Sequence, residues 1–551
     1  MLYFISYTIG MKSYDELLKD IEKLEKENEK LKADNRNLKL KNDNLSNQVD
    51  WYESMIRVMN TKKYKTTSEP GSVYFQQLPL FDEVEVIQKS IEEKSEETVT
   101  IKEHTRKKKA PMDLSKLEIK VIHHDIKDRK CSECGAALVE LKPTIKEEIE
   151  YIRARYIVKR HVIHNYICPK CSDDEHTVTR SGDNYKKLID KSRASATLTA
   201  AIIYMKFCQG LPLYRIEQDL QRKGIPISRQ DMSNWLTICT EKYLKYLFCL
   251  MKDDLLEEDI LHGDETTVNC LEEKDREKSY MWIQRTSIYS DKQIALYYYN
   301  ASREYGFAQE IYKGFKGYLH ADAYGAYGDL SDAKVVGCWA HARRRVYDAL
   351  LSYAIDSTYR KCKDKTKRKE ILENNPSYAN ILKLFEMIEE LFTADKKIVK
   401  NNIDSEEIKR ERQEKEKDML DRIRKYIDEN KDAYPPKSKP GIAITYIENC
   451  WKSLLVYLED GRLELTNNLG ERTVKPFVMG RKAWLFANTS KGAKTSAILY
   501  SLVETAKINK IDPEEYIGYV LNKMKDMDDI ENNINELRKL LPYSEDIKRA
   551  I

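Results

Sequence analysis

HGDETTV at 262–268 and GYLHADAYGAYG at 317–328 each set an aspartate, Asp264 and Asp322, directly after an apolar, β-prone run. A carboxylate at a strand end stands beside the neighbouring strand, about 4.8 Å away, so two such aspartates reach a common cation. Around them DILHGDETTVNCLE, SYMWIQRTSIYS, QIALYYYN and AKVVGCWAHARRR are short β-prone runs interleaved with helical sequence, which predicts a strand-rich core with helices between the strands. Breaking or transferring a phosphodiester requires charge to be neutralised on both the attacking and the leaving oxygen. Two magnesium ions about 4 Å apart, held by carboxylates, supply this.

A third acid comes from LTNNLGERTVKPFVMGRKAWLF at 465–486, which offers Glu471 on a short helix beginning near Thr466. Arg472, Lys475, Arg481 and Lys482 surround it and suit substrate phosphates, and Pro476 is expected to kink or end the helix. His341, Arg343 and Arg344, with Arg345, follow an apolar strand and are candidates to face the scissile phosphate, against a reading as surface basicity with an ordinary histidine. Taken singly, each of the three acids also reads as a turn residue, a cap or half of an ion pair. Trp484 reads as packing rather than base stacking.

Working outward, GLPLYRIEQDLQRKGIPISRQDMSNWL at 210–236 reads as helix, Gly-Ile-Pro turn, helix. Ser228 caps the second helix in this reading and sets Arg229, Gln230 and Asn234 on its exposed N-terminal half, where DNA-recognition residues sit. The alternative is an ordinary helical hairpin packed through Ile227, Met232 and Trp235. Upstream, CSEC at 131–134 and CPKC at 168–171 have the spacing of two knuckles, so Cys131, Cys134, Cys168 and Cys171 are expected to hold one structural zinc ion. EIEYIRARYIVKRHVIHNYI between them alternates polar with apolar residues, as the strands of a zinc ribbon do, with Arg153, Arg155, Lys159 and Arg160 on a basic outer face; His161 and His164 are substitute ligands.

Leucine recurs every seven residues at Leu17, Leu24, Leu31, Leu38 and Leu45, a coiled-coil d position. Asn28, Asn35 and Asn42 fall at the matching a positions and pair well only with themselves, which predicts a parallel homodimer or a higher oligomer built on it. The stretch after this helix, with the basic run Arg106–Lys109, shows no sustained period and reads as a linker. The 551 residues exceed what one core supports, and 95 basic against 91 acidic side chains leave a net charge of only +4, so local clusters must carry any argument for a polyanionic partner. Eleven cysteines, only four of them regularly spaced, fit a reducing compartment. MLYFISYTIG lacks a basic n-region, a cleavage site and the length of a membrane span, and the patterned sequence begins after Met11, an alternative start. A cytoplasmic, nucleoid-associated protein without membrane contact is the expectation.

In this order, HGDETTV, GYLHADAYGAY, CWAHARRR and NNLGERTVKPFVMGRKAWLFANTSKGA closely resemble the signature blocks of transposases of the insertion-sequence 66 family. SEPGSVYFQQLPLFDE, the two CxxC knuckles, GLPLYRIEQ and LRKLLPYS resemble that family too, so the likeness covers most of the chain. Departures are mild: Ala321 and Ala323 stand where the family often has glycine or threonine, and Lys475 where it has arginine. The resemblance implies a ribonuclease-H-like fold and an Asp, Asp, Glu triad that maps by motif position onto Asp264, Asp322 and Glu471, holding two Mg2+ or Mn2+ ions. It implies an enzyme that binds the terminal inverted repeats of an insertion sequence as double-stranded DNA, exposes 3′ hydroxyls by hydrolysis and joins them to target DNA. It also implies accessory proteins of the same element. The alternative is a catalytically inactive, dimeric, zinc-containing DNA-binding protein derived from such an enzyme.

The expected organisation is therefore multidomain α+β. A coiled coil at 14–58, a linker at 59–115 and a zinc-binding ribbon at 116–180 precede a helix-turn-helix-like helical domain at 185–250. The catalytic core runs over 255–350 and, with Glu471, over 441–525, interrupted by a charge-rich helical insertion at 351–440; a tail covers 526–551.

Overall fold

The computed structural model describes 156–163, 165–167, 179–181 and, apart from a few short gaps, 185–551, together with six positions between 23 and 32. Two compact units divide the chain, Tyr64–Gly182 and the remainder. In the smaller unit β1 (Asn165–Ile167) pairs antiparallel with β2 (Thr179–Ser181), Asn165 opposite Ser181. The alternating stretch expected to be strand is strand only in β1 among the described residues. Residues 156–163 have no regular structure. Cys131, Cys134, Cys168 and Cys171 lie outside the described residues. So does the coiled coil, apart from Lys23, Glu27, Asn28, Lys30, Leu31 and Lys32, which are helical and exposed.

The larger unit opens with α1 (Ala196–Phe207), α2 (Leu213–Arg222) and α3 (Arg229–Cys239), which continues through one π turn, Thr240–Leu244, into α4 (Lys245–Leu256). Gly224, at φ 75°, takes the left-handed conformation that ends α2, and Ile227, Met232 and Trp235 pack inward. Ser228 caps α3 in a reciprocal box: its hydroxyl accepts from the Asp231 N–H at 3.1 Å, and the Asp231 carboxylate accepts from the Ser228 N–H at 3.2 Å. Replacing Ser228 by Ala strands that donor, and thermal denaturation is expected to show a loss of about 1 kcal/mol. An unchanged midpoint would mean that the cap is not holding the helix.

The sheet comprises β3 (Ile260–Cys270), β4 (Ser279–Thr286), β5 (Ala295–Asn300), β6 (Tyr318–Ala321), β7 (Lys334–Gly337) and β8 (Phe486–Ala487), with α5 (Tyr305–Ile311) between β5 and β6. Its order is β5-β4-β3-β6-β7: β3, β4 and β5 are antiparallel, β6 and β7 run parallel to β3, and β8 pairs with the far end of β3. β4 is buried along almost its whole length, as expected of a strand covered on both faces.

After β7 come α6 (Trp339–Leu351), then α7 (Asp356–Lys361), α8 (Lys365–Asn374), α9 (Pro376–Asn401), α10 (Ser405–Lys415) and α11 (Lys417–Asn430) in the predicted insertion, and α12 (Lys439–Leu455). The chain then forms α13 (Asn468–Trp484), α14 (Ser490–Ile508), α15 (Pro513–Lys525), α16 (Ile534–Lys539) and α17 (Glu545–Ala550). The structure is thus mixed α+β with a helical majority. Edge strand β5 is covered rather than open: the hydroxyls of Thr505 and Ser501 on α14 accept from the Ala295 and Tyr297 N–H groups at 3.1 and 2.8 Å. Such cover removes the strand's capacity to pair with another chain. α6, α9, α11 and α12 build a second apolar core around Trp339, Ile388, Ile423 and Ile447, which Ile260 of β3 and Val336 of β7 join from the sheet. No helix among the described residues is long and apolar enough to cross a membrane.

Two local expectations change. Asp264 is not at a strand end: β3 runs on past it in antiparallel pairing with β4, while the parallel partner β6 stops at Ala321. The helix carrying Glu471 is not short, since α13 passes through Pro476 to Trp484. The proline gives up only the bond to the Arg472 carbonyl, on an exposed part of the helix, and the Tyr297 hydroxyl donates to the next carbonyl, Thr473 O, at 2.5 Å.

Candidate active site

Parallel pairing of β3 with β6 sets Leu261 beside Leu319 and His262 beside His320. Continued two residues, the register brings Asp264 alongside Asp322. The two imidazoles below them stack 4.4 Å apart at 7°. Gly263 is required between them, because a Cβ there would strike the Tyr312 hydroxyl.

Glu471 reaches this point from the first turn of α13, placed by Asn467, which is 1% exposed. The Asn467 side chain donates to Gly263 O at 2.8 Å, so its Oδ1 accepts from His262 Nδ1 at 3.0 Å and fixes that proton. Its backbone N–H points at Cys338 Sγ, 3.1 Å away, and its carbonyl accepts from the Glu471 N–H at 3.1 Å. One asparagine thus ties β3, the start of α6 and the third acid together. Replacing Asn467 by Ala leaves a buried carbonyl and an imidazole without partners, and chemical denaturation is expected to show a loss of about 1–3 kcal/mol. A change under a few tenths of a kcal/mol would contradict this role.

His341 on α6 stands between two of the acids: Nε2 is 3.8 Å from Asp322 Oδ2, and Nδ1 is 3.6 Å from Glu471 Oε1. Burial lowers its basicity, Asp322 opposes that, and Arg344 and Arg345 reinforce it. The Tyr446 hydroxyl donates to Asp322 Oδ1 at 2.7 Å, and the Arg345 guanidinium lies 4.2 Å from the Tyr446 ring centroid. Burial, then the neighbouring Glu265 and Glu471 carboxylates, raise Asp264 well above the usual carboxylate range, and Asp322 adds to this. Glu471 is 8% exposed; burial pushes it up to about 7 against the pull of Arg344, with Asp322 raising it further. Its Oε2 is buried with no hydrogen-bond partner.

Three acids crowded together, one with an orphaned oxygen, have too much negative charge for a buried pocket. Hard oxygen donors in that state fit a divalent cation.

Arg229, Gln230 and Asn234 are exposed on α3, with Gln230 Nε2 donating to Asn234 Oδ1 at 3.0 Å. Arg472 and Lys475 are exposed on α13 close to Glu471, Lys482 is exposed about three turns further along, and Arg481 donates to the Thr266 and Thr267 hydroxyls at 3.1 and 3.3 Å. Arg343 turns inward to an ion pair with Glu389, its guanidinium 4.7 Å from the Phe392 ring centroid. Trp484 packs on Phe477 at 5.4 Å. Sequence reasoning missed Cys338, Tyr446 and Asn467. Of these only Cys338 left a signal, as the first residue of a C-x-x-H pattern at a helix start.

The sequence profile described as Transposase IS66 family matches residues 191–495, that of the zinc-finger binding domain of transposase IS66 matches 128–172, and that of the IS66 C-terminal element matches 501–543. The chain is also similar to two proteins of Sinorhizobium fredii (strain NBRC 101917 / NGR234). "Uncharacterized protein y4hP" is 25% identical over 428 residues, 75% of this chain and 73% of that one. "Uncharacterized protein y4jD" is 25% identical over 431 residues, 76% of this chain and 78% of that one. With the first profile spanning Asp264, Asp322 and Glu471 and more than half of the sequence, the chain belongs to the transposase IS66 family.

Proposed function

We propose that the protein is a DNA transposase that nicks the ends of its insertion sequence to free 3′ hydroxyls and joins them to target DNA, using Asp264, Asp322 and Glu471. The observation that carries this reading is the convergence of acids distant in sequence: Asp322 and Glu471 meet at His341, the β3–β6 register sets Asp264 alongside Asp322, and Glu471 Oε2 is left unpaired. The strand order β5-β4-β3-β6-β7, in which only β4 runs antiparallel to β3, supports a ribonuclease-H-like core.

Asp264, Asp322 and Glu471 would hold two Mg2+ or Mn2+ ions, which supply charge neutralisation at the attacking and leaving oxygens of the in-line displacement. Asn467 fixes the third acid against β3. Tyr446 and His341 orient Asp322. Arg472 and Lys475 hold strand phosphates next to Glu471, Lys482 holds the strand further along α13, Arg344 adds positive charge at Glu471, and Arg229, Gln230 and Asn234 read the element ends from α3. The four knuckle cysteines hold one structural zinc ion, and the coiled coil pairs two protomers in register. Accessory proteins of the element and a cytoplasmic, nucleoid-associated setting complete the reading.

The test is incubation of the full chain with DNA bearing the element's ends and a target plasmid in Mg2+. Joined product that disappears on chelation is expected. DNA bound but never nicked, in Mg2+ or Mn2+, would instead favour a silent DNA-binding protein.

A further inference from the structure

Beside the carboxylates lies a ligand set of different chemistry. Cys338 Sγ, a ring nitrogen of His341 and a carboxylate oxygen of Glu471 lie within 4.8 Å of one another, the first and last buried. In a tetrahedral zinc site such atoms sit about 3.5 Å apart, so small rotations close the set around one ion. A second observation points the same way: His341 Nδ1 and Glu471 Oε2 are both buried without a hydrogen-bond partner. The opposite ring nitrogen, Nε2, faces Asp322 at 3.8 Å. A carboxylate on the far side of an imidazole is the arrangement that orients a histidine toward a metal and raises its ligand strength. Cys338 precedes the first turn of α6 and the Asn467 N–H points at its sulfur; burial and the nearby Glu471 push the thiol up to about 12, so its proton leaves only when an ion takes its place.

We propose that Cys338, His341 and Glu471 form a site for one thiophilic divalent ion, Zn2+ in the first instance, that shares Glu471 with the acid triad and competes with magnesium for it. Sulfur and imidazole are poor partners for Mg2+ and good ones for Zn2+, so the pocket offers two incompatible ligand sets around one carboxylate. Binding transfers the thiol proton to solvent and leaves a fourth position open. An ion held there draws Glu471 toward α6 and away from Asp264, so zinc inhibits magnesium-dependent chemistry without touching DNA binding.

The test uses the full chain and Co2+ alone as the probe, since cobalt bound to thiolate absorbs in the near ultraviolet. The wild type is expected to hold one Co2+ per chain more than Cys338→Ser or His341→Gln does, with a weaker thiolate band in Cys338→Ser. Both variants retain whatever the knuckle cysteines bind, and circular dichroism checks their fold. Should Cys338→Ser fail to fold, His341→Gln carries the ion count alone. Identical ion counts and bands in the wild type and the folded variants would overturn the proposal. Strand transfer by the wild type in Mg2+, read on the same preparation, separates the two readings: joining without the extra ion sinks only this site, and the extra ion without joining sinks only the proposed function.

Discussion

Glu471→Gln is expected to lower DNA nicking and joining by roughly a thousandfold or more while leaving the fold intact. Glutamine matches glutamate in shape but brings no charge, and each cation at such a site contributes several kcal/mol to the transition state, which converts to about that factor. The fold should tolerate the change, because Glu471 Oε2 has no hydrogen-bond partner to lose and burial already disfavours the charged carboxylate. Gel assays of nicked and joined products, beside a denaturation curve, check both halves of the expectation. Activity within a few-fold of the wild type would remove Glu471 from the chemistry, and unfolding would show that it is a structural acid.

The second large effect is expected away from the three acids, at Arg412 on α10. Arg412 is 1% exposed; its Nε donates to Asp395 at 2.8 Å and its Nη1 to Leu463 O at 2.8 Å. Two residues on, Leu465 O accepts from the Trp339 N–H at 3.1 Å, and two further stands Asn467. α10 thus braces the segment that delivers Glu471.

Arg412→Ala leaves a buried carboxylate and a buried carbonyl unpaired, a defect of about 3–5 kcal/mol. Burial already raises Asp395 and pushes Glu416 up to about 7, and in both Arg412 opposes the shift. Without the arginine both rise further. A carboxylate whose folded pKa lies above its unfolded value loses stability as pH climbs through that window, so the deficit should be larger at pH 8 than at pH 5. Denaturation at the two pH values and hydrogen exchange across 463–471 measure it. A deficit independent of pH, or exchange unchanged over that segment, would show that the brace is not there.

Much of the site could be read from residue order because its parts are local. Asp264 and Asp322 sit in β-prone runs that become adjacent parallel strands, and Ser228 announces its helix through a cap whose geometry spans four residues. What could not be read is what tertiary packing decides. Arg343, Arg344 and Arg345 look alike as a basic run, yet successive helix positions point about 100° apart. Arg343 therefore meets Glu389 on α9, Arg345 stacks on Tyr446 of α12, and Arg344 bears on Glu471. Asn467 shows nothing in sequence of its grip on Gly263 and His262, which come from more than two hundred residues earlier. Pro476 misleads for the opposite reason: the local rule ends the helix, but Phe477 is fully buried and Tyr297 holds the neighbouring carbonyl, so packing keeps α13 intact.

Anomalous diffraction from crystals of the protein soaked in Mn2+ addresses the three acids most directly. Two peaks about 4 Å apart, with Asp264, Asp322 and Glu471 as their protein ligands, are expected. Manganese absent from that pocket while bound elsewhere on the chain would contradict the assignment of these three carboxylates as the catalytic set.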